Sequence, residues 1–134
     1  MPKAYIIARI DVTDPTEYAR YTASTPALAA RFGGRFIARG GRFEAREGPA
    51  RVRNVLIEFP DFDSARAFYD DPAYRAILPH ALAGAERELV IVEGSDPAEM
   101  HQKMAATLDQ AIGEIRAHQK RARESNKAFR PRWP

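Results

Sequence analysis

The run Ala4-Tyr5-Ile6-Ile7-Ala8-Arg9-Ile10 is apolar, rich in β-formers and stopped by polar residues, which predicts a strand. Asp14-Pro15-Thr16-Glu17 then starts a helix. Asp14 can cap it, Pro15 suits the first helical position because its missing N–H costs nothing there, and Glu17 completes a capping-box-like arrangement. Tyr18, Tyr21, Thr22, Leu28, Ala29 and Phe32 fall roughly on one helical face, while Pro26 predicts a kink or a restart. Gly33-Gly34 ends the segment. Arg35 to Arg39 reads as a second strand, with a bend or bulge at its Gly40-Gly41 exit, and about Arg51 to Phe59 as a third, ended by Pro60. Asp63 or Ser64 is expected to cap a helix carrying Ala65, Phe68 and Tyr69. Asp71-Pro72 opens a second short helix through Tyr74, Ile77 and Leu78, which Pro79 should stop or bend. Glu88 to Glu93 is the fourth strand, closed by Gly94.

The order β-α-β-β-α-β is the ferredoxin-like split βαβ plan, an α+β class. Its sheet carries helices on one face only, yet the first strand is apolar on both sides. A second copy of the same sheet is the simplest cover, so a homodimer or higher homo-oligomer is expected. A third Asp-Pro start, Asp96-Pro97-Ala98-Glu99, opens a C-terminal amphipathic helix. Met100, Met104, Leu108, Ala111, Ile112 and Ile115 form its apolar stripe. The chain thus divides into a domain over residues 1–94 and an extension over 95–134, the latter expected to be ordered to about Ala117 and to pack on a partner subunit.

Charge sharpens that division. Residues 1–94 hold 13 Lys and Arg against 13 Asp and Glu, so the formal net charge of +3 belongs entirely to the extension. Within it, residues 116–134 carry seven basic side chains against Glu124, ending in Phe129-Arg130-Pro131-Arg132-Trp133-Pro134. Such a tail invites a nucleic-acid reading, but a solvated helix end whose cations complement the macrodipole explains it more simply, and no nucleic-acid partner is expected. With no Cys, thiolate catalysis, disulfides and cysteine-ligated metal sites are excluded. No run of 18 apolar residues is present, so no membrane helix is expected, and Arg9 interrupts the start too early for a signal peptide. A cytoplasmic location is the expectation. No metal or other cofactor is expected, because His101 and His118 lack carboxylate or histidine partners at helical spacing.

Several motifs, taken in order, resemble one known family. They are Tyr5-Ile6-Ile7-Ala8-Arg9-Ile10-Asp11-Val12-Thr13-Asp14-Pro15, Tyr18 and Tyr21, Gly33-Gly34-Arg35-Phe36, Arg39-Gly40-Gly41, Ile57-Glu58-Phe59-Pro60, Ala67-Phe68-Tyr69, Pro72 with Tyr74, and Leu89-Val90-Ile91-Val92-Glu93-Gly94. Residues 3–94 are similar to domain of unknown function 1330, of the dimeric α/β-barrel superfamily. The resemblance implies a ferredoxin-like subunit whose sheet packs on a partner's to enclose a small cavity. Relatives in that superfamily include monooxygenases, muconolactone-isomerase-like enzymes and haem-handling proteins. The extension after Gly94 has no counterpart in the family pattern.

Strict alternation predicts which polar groups face an inter-sheet cavity. Tyr5, Ile7 and Arg9 share one side of the first strand, Arg35, Ile37 and Arg39 of the second, and Asn54, Leu56 and Glu58 of the third. Arg9, Arg39 and Asn54, with Tyr5 and Tyr69, are therefore the candidate substrate-binding groups for a small, anionic molecule. Glu58 is the candidate base, and His80, after Pro79, a candidate acid or base at the cavity mouth. With a cavity of this kind, the resemblance implies a cofactor-independent oxygenase- or isomerase-like enzyme. The competing reading is Arg–Glu pairing that closes the barrel or seals the dimer, in a non-catalytic module whose extension mediates oligomerisation or partner binding. Phosphate loops and nucleophile elbows are excluded, since no glycine-rich or serine motif of those kinds follows a strand.

Overall fold

The computed structural model describes residues 1–128; the expectations for Phe129 and Trp133 lie outside them. Element order is β1 (Ala4–Val12), α1 (Pro15–Thr22), α2 (Thr25–Arg31), β2 (Arg35–Arg39), β3 (Arg53–Phe59), α3 (Phe62–Asp70), α4 (Pro72–Gly84), β4 (Ala85–Glu93) and α5 (Pro97–Ala128). The strands form one sheet in the order β2-β3-β1-β4, with each neighbouring pair antiparallel. This is the ferredoxin-like arrangement expected from the element order.

Local chemistry sets the element ends. The Asp14 carboxylate accepts from the Glu17 N–H at 3.1 Å, Asp61 from Ser64 N–H at 2.7 Å, and Asp71 from Ala73 N–H at 2.9 Å. The cap of α3 is therefore Asp61, two residues earlier than the composition suggests. Pro26 does cause a restart: α1 and α2 are separate helices around Ala23-Ser24. Pro79 does not stop α4, which runs on to Gly84 and passes directly into β4. Gly33 takes φ +76 after α2, a conformation that a side chain with a Cβ rarely adopts. Gly84 is needed for a different reason, since a Cβ there would sit 2.8 Å from the Tyr18 backbone nitrogen.

The core lies between the helices and the face of the sheet carrying Ala4, Ile6, Ala8 and Ile10 of β1 and Val55, Ile57 and Phe59 of β3. Tyr74, Phe59, Phe68, Ile6 and Ile10 are its largest fully buried side chains. Each contributes roughly 1.5–3 kcal/mol of apolar burial before ordering costs. The opposite face carries none of the helices α1 to α4. Residues 40–52 cross one end of it, held where Arg51 meets Asp11 at 3.1 Å, Glu86 at 3.3 Å and Glu88 at 2.8 Å. Further along, Ile37, Val90 and Val92 are exposed, the valines by 55% and 43%.

The chain divides into two compact units after Ser95. The second contains α5, opened by Asp96, whose carboxylate accepts from Ala98 and Glu99 N–H groups. Its helix runs well past the expected end at Ala117. Met100, Met104, Leu108, Ile112 and Ile115 are exposed. No described helix is long and apolar enough to cross a membrane.

Candidate functional site

A cavity of about 30 Å³ lies within the first unit, on the helix-bearing side of the sheet. The register of the sheet builds its polar wall. Ile10 of β1 faces Arg53 on β3 and Arg87 on β4, so the two arginines flank the central strand on the same face, about 10 Å apart at their stems. Arg39 of β2 lies opposite Val55 and joins the same wall. From the helices come Tyr18 and Tyr21 of α1, Thr25 of α2 and Tyr74 of α4; Phe36, Ile57 and Leu89 are among the apolar lining. No carboxylate is among the lining residues.

The tyrosines and Arg87 form one network. The Tyr21 and Tyr74 hydroxyls are 2.8 Å apart, and Arg87 Nη2 donates to the Tyr21 oxygen at 3.3 Å. The Arg87 guanidinium also lies 4.8 Å from the Tyr21 ring centre, a cation–π arrangement. Burial holds the phenols of Tyr74 and Tyr18 above the usual tyrosine range, so both keep their protons near neutral pH. Arg53 Nε and Arg87 Nη1 are buried without an acceptor among the described residues. A buried donor left in this way costs about 1–3 kcal/mol, which an incoming acceptor would recover.

Arg39 reaches this cavity by correcting the strand alternation assumed from sequence. Phe36 pairs with Ile57, but Ala38, not Ile37, pairs with Leu56. The irregularity absorbs one residue, and every side chain after it changes face. Arg39 consequently stands on the side of Phe36, its guanidinium 5.0 Å from that ring, and does not join Arg9 on the open face. The bend expected at the strand exit is present at Gly40, which takes φ +66, and the irregularity between Phe36 and Ala38 is an additional one inside the strand.

The other predicted site residues stay outside this cavity: Tyr5, Arg9, Asn54 and Glu58 share the open face as alternation predicts, Arg9 and Asn54 lining one pocket there, while Tyr69 and His80 lie elsewhere. Arg9 is on the open face, donating to the Pro49 carbonyl at 2.6 Å and lying 3.7 Å from Glu88. Asn54 donates to the Arg51 carbonyl at 3.1 Å. Glu58 meets Lys3 at 3.1 Å and Arg35 at 3.0 Å rather than Arg9 or Arg39; the Lys3 hydrogen bond first, then Arg35, lowers its pKa. Tyr5 lies opposite Glu58 and Val92, half-buried. Tyr69 packs 5.2 Å from the Tyr74 ring and under the Arg75 guanidinium, outside the cavity lining. His80 is 2.6 Å from Glu17 across α1 and α4 and does not line the cavity either. Among the described residues, no group of three or more His, Asp or Glu side chains is placed to hold a metal ion.

Sequence reasoning missed Arg53, Arg87, Tyr21 and Tyr74 as a set. Their signal was present: Arg53 alternates with Val55 and Ile57, and Arg87 with Leu89 and Ile91, so each arginine interrupts an apolar, inward-facing row.

Comparison with known proteins gives two matches that overlap over residues 76–95. Residues 76–134 match the model of the XFP N-terminal domain. A probable phosphoketolase from Methylococcus capsulatus is 53% identical over 57 residues, which is 42% of this chain and 7% of that protein. A second, from Nitrosomonas europaea, is 59% identical over 60 residues, 45% of this chain and 8% of the relative. The chain thus spans less than a tenth of these curated relatives. The extension lies beyond the stretch that resembles the body's family and within the stretch similar to the XFP N-terminal domain.

Solved structures resemble the body. A protein of unknown function from Rhodopseudomonas palustris has a TM-score of 0.58 at 20% identity, over 72% of this chain and 85% of its own. A dimeric ferredoxin-like protein of unknown function from Jannaschia sp. CCS1 has a TM-score of 0.56 at 16% identity, over 69% and 99%. A cofactor-independent oxygenase from Streptomyces nogalater has 0.50 at 21%, over 72% and 96%. At these identities the likeness concerns the fold. The model described as domain of unknown function (DUF1330) matches residues 3–95, the stretch that holds the whole sheet and cavity, and the chain belongs to that family.

Proposed function

We propose that this protein is a homodimeric binding subunit that takes a small molecule into the cavity between its sheet and helices, with oxygenase- or isomerase-like chemistry as the reaction class to test. The observation that carries the reading is the wall of Arg39, Arg53, Arg87, Tyr21 and Tyr74 around a void that no carboxylate enters. A filled structural core would pair its arginines with acids, as the exposed face does at Arg51 and Glu58. The dimer is supported by the sheet face opposite α1 to α4, with exposed Ile37, Val90 and Val92, which a second sheet would cover. Fold likeness to a cofactor-independent oxygenase makes oxygen uptake with enolisable or phenolic substrates the first activity to assay.

Binding is tested without knowledge of the reaction. Thermal melts of the full chain against a panel of small acids, amides and phenols should raise Tm for at least one class, and Leu89→Trp, which fills the cavity, should abolish the rise. A panel that moves nothing sinks the reading. A second reading, an assembly module acting through α5, is favoured by the exposed Met100, Met104, Leu108, Ile112 and Ile115. Removing residues 96–134 should then lower the oligomeric mass.

A further inference from the structure

From the hydrogen-bond donors at the cavity, we propose that its ligand is a short-chain carboxylate, held by Arg53 and Arg87 and by one phenol proton of the Tyr21–Tyr74 pair. This assignment rests on the cavity being a binding site and names what it binds. The two phenols bring two protons, but the 2.8 Å contact between their oxygens uses only one. The Tyr21 oxygen already accepts from Arg87 Nη2. Whichever phenol donates to the other, one O–H is left with no protein acceptor among the described residues. Arg53 Nε–H and Arg87 Nη1–H are in the same condition, and both are buried.

Three donors without acceptors thus belong to residues lining the cavity, and Arg39, Arg53 and Arg87 give its wall three fixed positive charges. A neutral amide or alcohol would bring further donors into a site short of acceptors. A carboxylate brings two oxygens with about four acceptor positions and no donor, in the plane that guanidinium groups match best. Size and wall decide the rest of the molecule: a cavity of about 30 Å³ with Phe36, Ile57 and Leu89 around it suits a short apolar body. Phosphate is a poorer fit because its third and fourth oxygens would face that apolar wall.

Nitrogen-15 NMR titration of the full chain tests this at constant ionic strength held with sodium chloride. Sodium acetate should saturate and shift the Arg53 Nε–H signal downfield, whereas acetamide, equal in shape, should not. Arg53→Gln and Arg87→Gln should each weaken acetate about tenfold or more. If acetamide shifts the same signals as strongly, the carboxylate assignment falls while the binding site stands. If neither compound, nor any other member of the acid, amide and phenol panel, moves an Arg53, Arg87, Tyr21 or Tyr74 signal, both fall. Should a variant fail to fold, the wild-type acetate–acetamide contrast still decides.

Discussion

Tyr21 is the residue on which the cavity network turns, because its oxygen meets both the Tyr74 hydroxyl and Arg87 Nη2. Tyr21→Phe strands both partners and should destabilise the fold by about 1–3 kcal/mol, whereas Tyr74→Phe, leaving the Tyr21–Arg87 bond in place, should cost nearer 1 kcal/mol. Urea melts of the two variants check the order, and equal losses would show that Arg87 gains nothing from Tyr21. Glu58 gives a pH-dependent counterpart on the open face. Its carboxyl pKa is lowered by Lys3 and then by Arg35, so the ionised form is favoured by folding. Its contribution is complete above the ordinary glutamate range near pH ~4.3, and is lost as pH falls through the lower folded-state value. Melts from pH 7 to pH 2 should show Glu58→Gln less stable than the wild type at neutral pH, with the difference closing in acid. Gly84→Ala is expected to be among the most damaging small changes, because its Cβ would press on the Tyr18 backbone nitrogen at 2.8 Å. A melting temperature within a degree of wild type would contradict that close approach.

At the scale of elements, β2 decides which face Arg39 serves. Ile37 is the residue absorbed by the irregularity, so deleting it should yield an even ladder with Phe36 on Ile57 and Ala38 on Leu56 unchanged. Arg39 should then still stand over Phe36, and protection of β2 amides from hydrogen exchange should be retained. Deleting Arg35 instead should not repair the ladder. Helices α3 and α4 are joined through aromatic packing, with Phe68 rings 4.8 Å from Tyr74 and 5.4 Å from Phe59. Phe68→Ala opens a void between both helices and the sheet and should cost about 3–5 kcal/mol. The Asp-Pro starts, the Pro26 restart and the strand runs were legible in the chain because they are local: a cap, a ring and a two-residue period act within a few positions. The irregularity in β2 was not legible there. Nothing in Arg35-Phe36-Ile37-Ala38-Arg39 distinguishes an even strand from one that loses step against β3.

For the whole molecule, the sheet face bearing Ile37, Val90 and Val92 is where a second copy should sit. Light scattering should give about twice 15.0 kDa or a higher multiple. Val90→Glu, midway along the edge strand β4 on that face, should yield a monomer with an unchanged circular dichroism spectrum. A monomeric wild type would remove the dimer, and an unchanged mass in the variant would move the interface elsewhere.

The amino-acid sequence by itself determined the element order, the inward rows of β1 and β3, the extension opened by Asp96-Pro97 and the family resemblance of residues 3–94. Each of these rests on neighbours in the chain or on a short period of polarity. The site was decided by tertiary structure. Only the pairing of β1 with both β3 and β4 brings Arg53 and Arg87 to either side of Ile10, and only the loss of step in β2 sends Arg39 after them. Only the packing of α1 on α4 sets Tyr21 against Tyr74. The same forces drew Glu58 to Lys3 and Arg35 and gave Arg9 the Pro49 carbonyl, so the set that alternation gathered stays on the open face without Arg39, its charges engaged by other partners. Strand register is a relation between residues 16 to 89 positions apart, fixed by which faces can be buried together, and it has no signature within either strand.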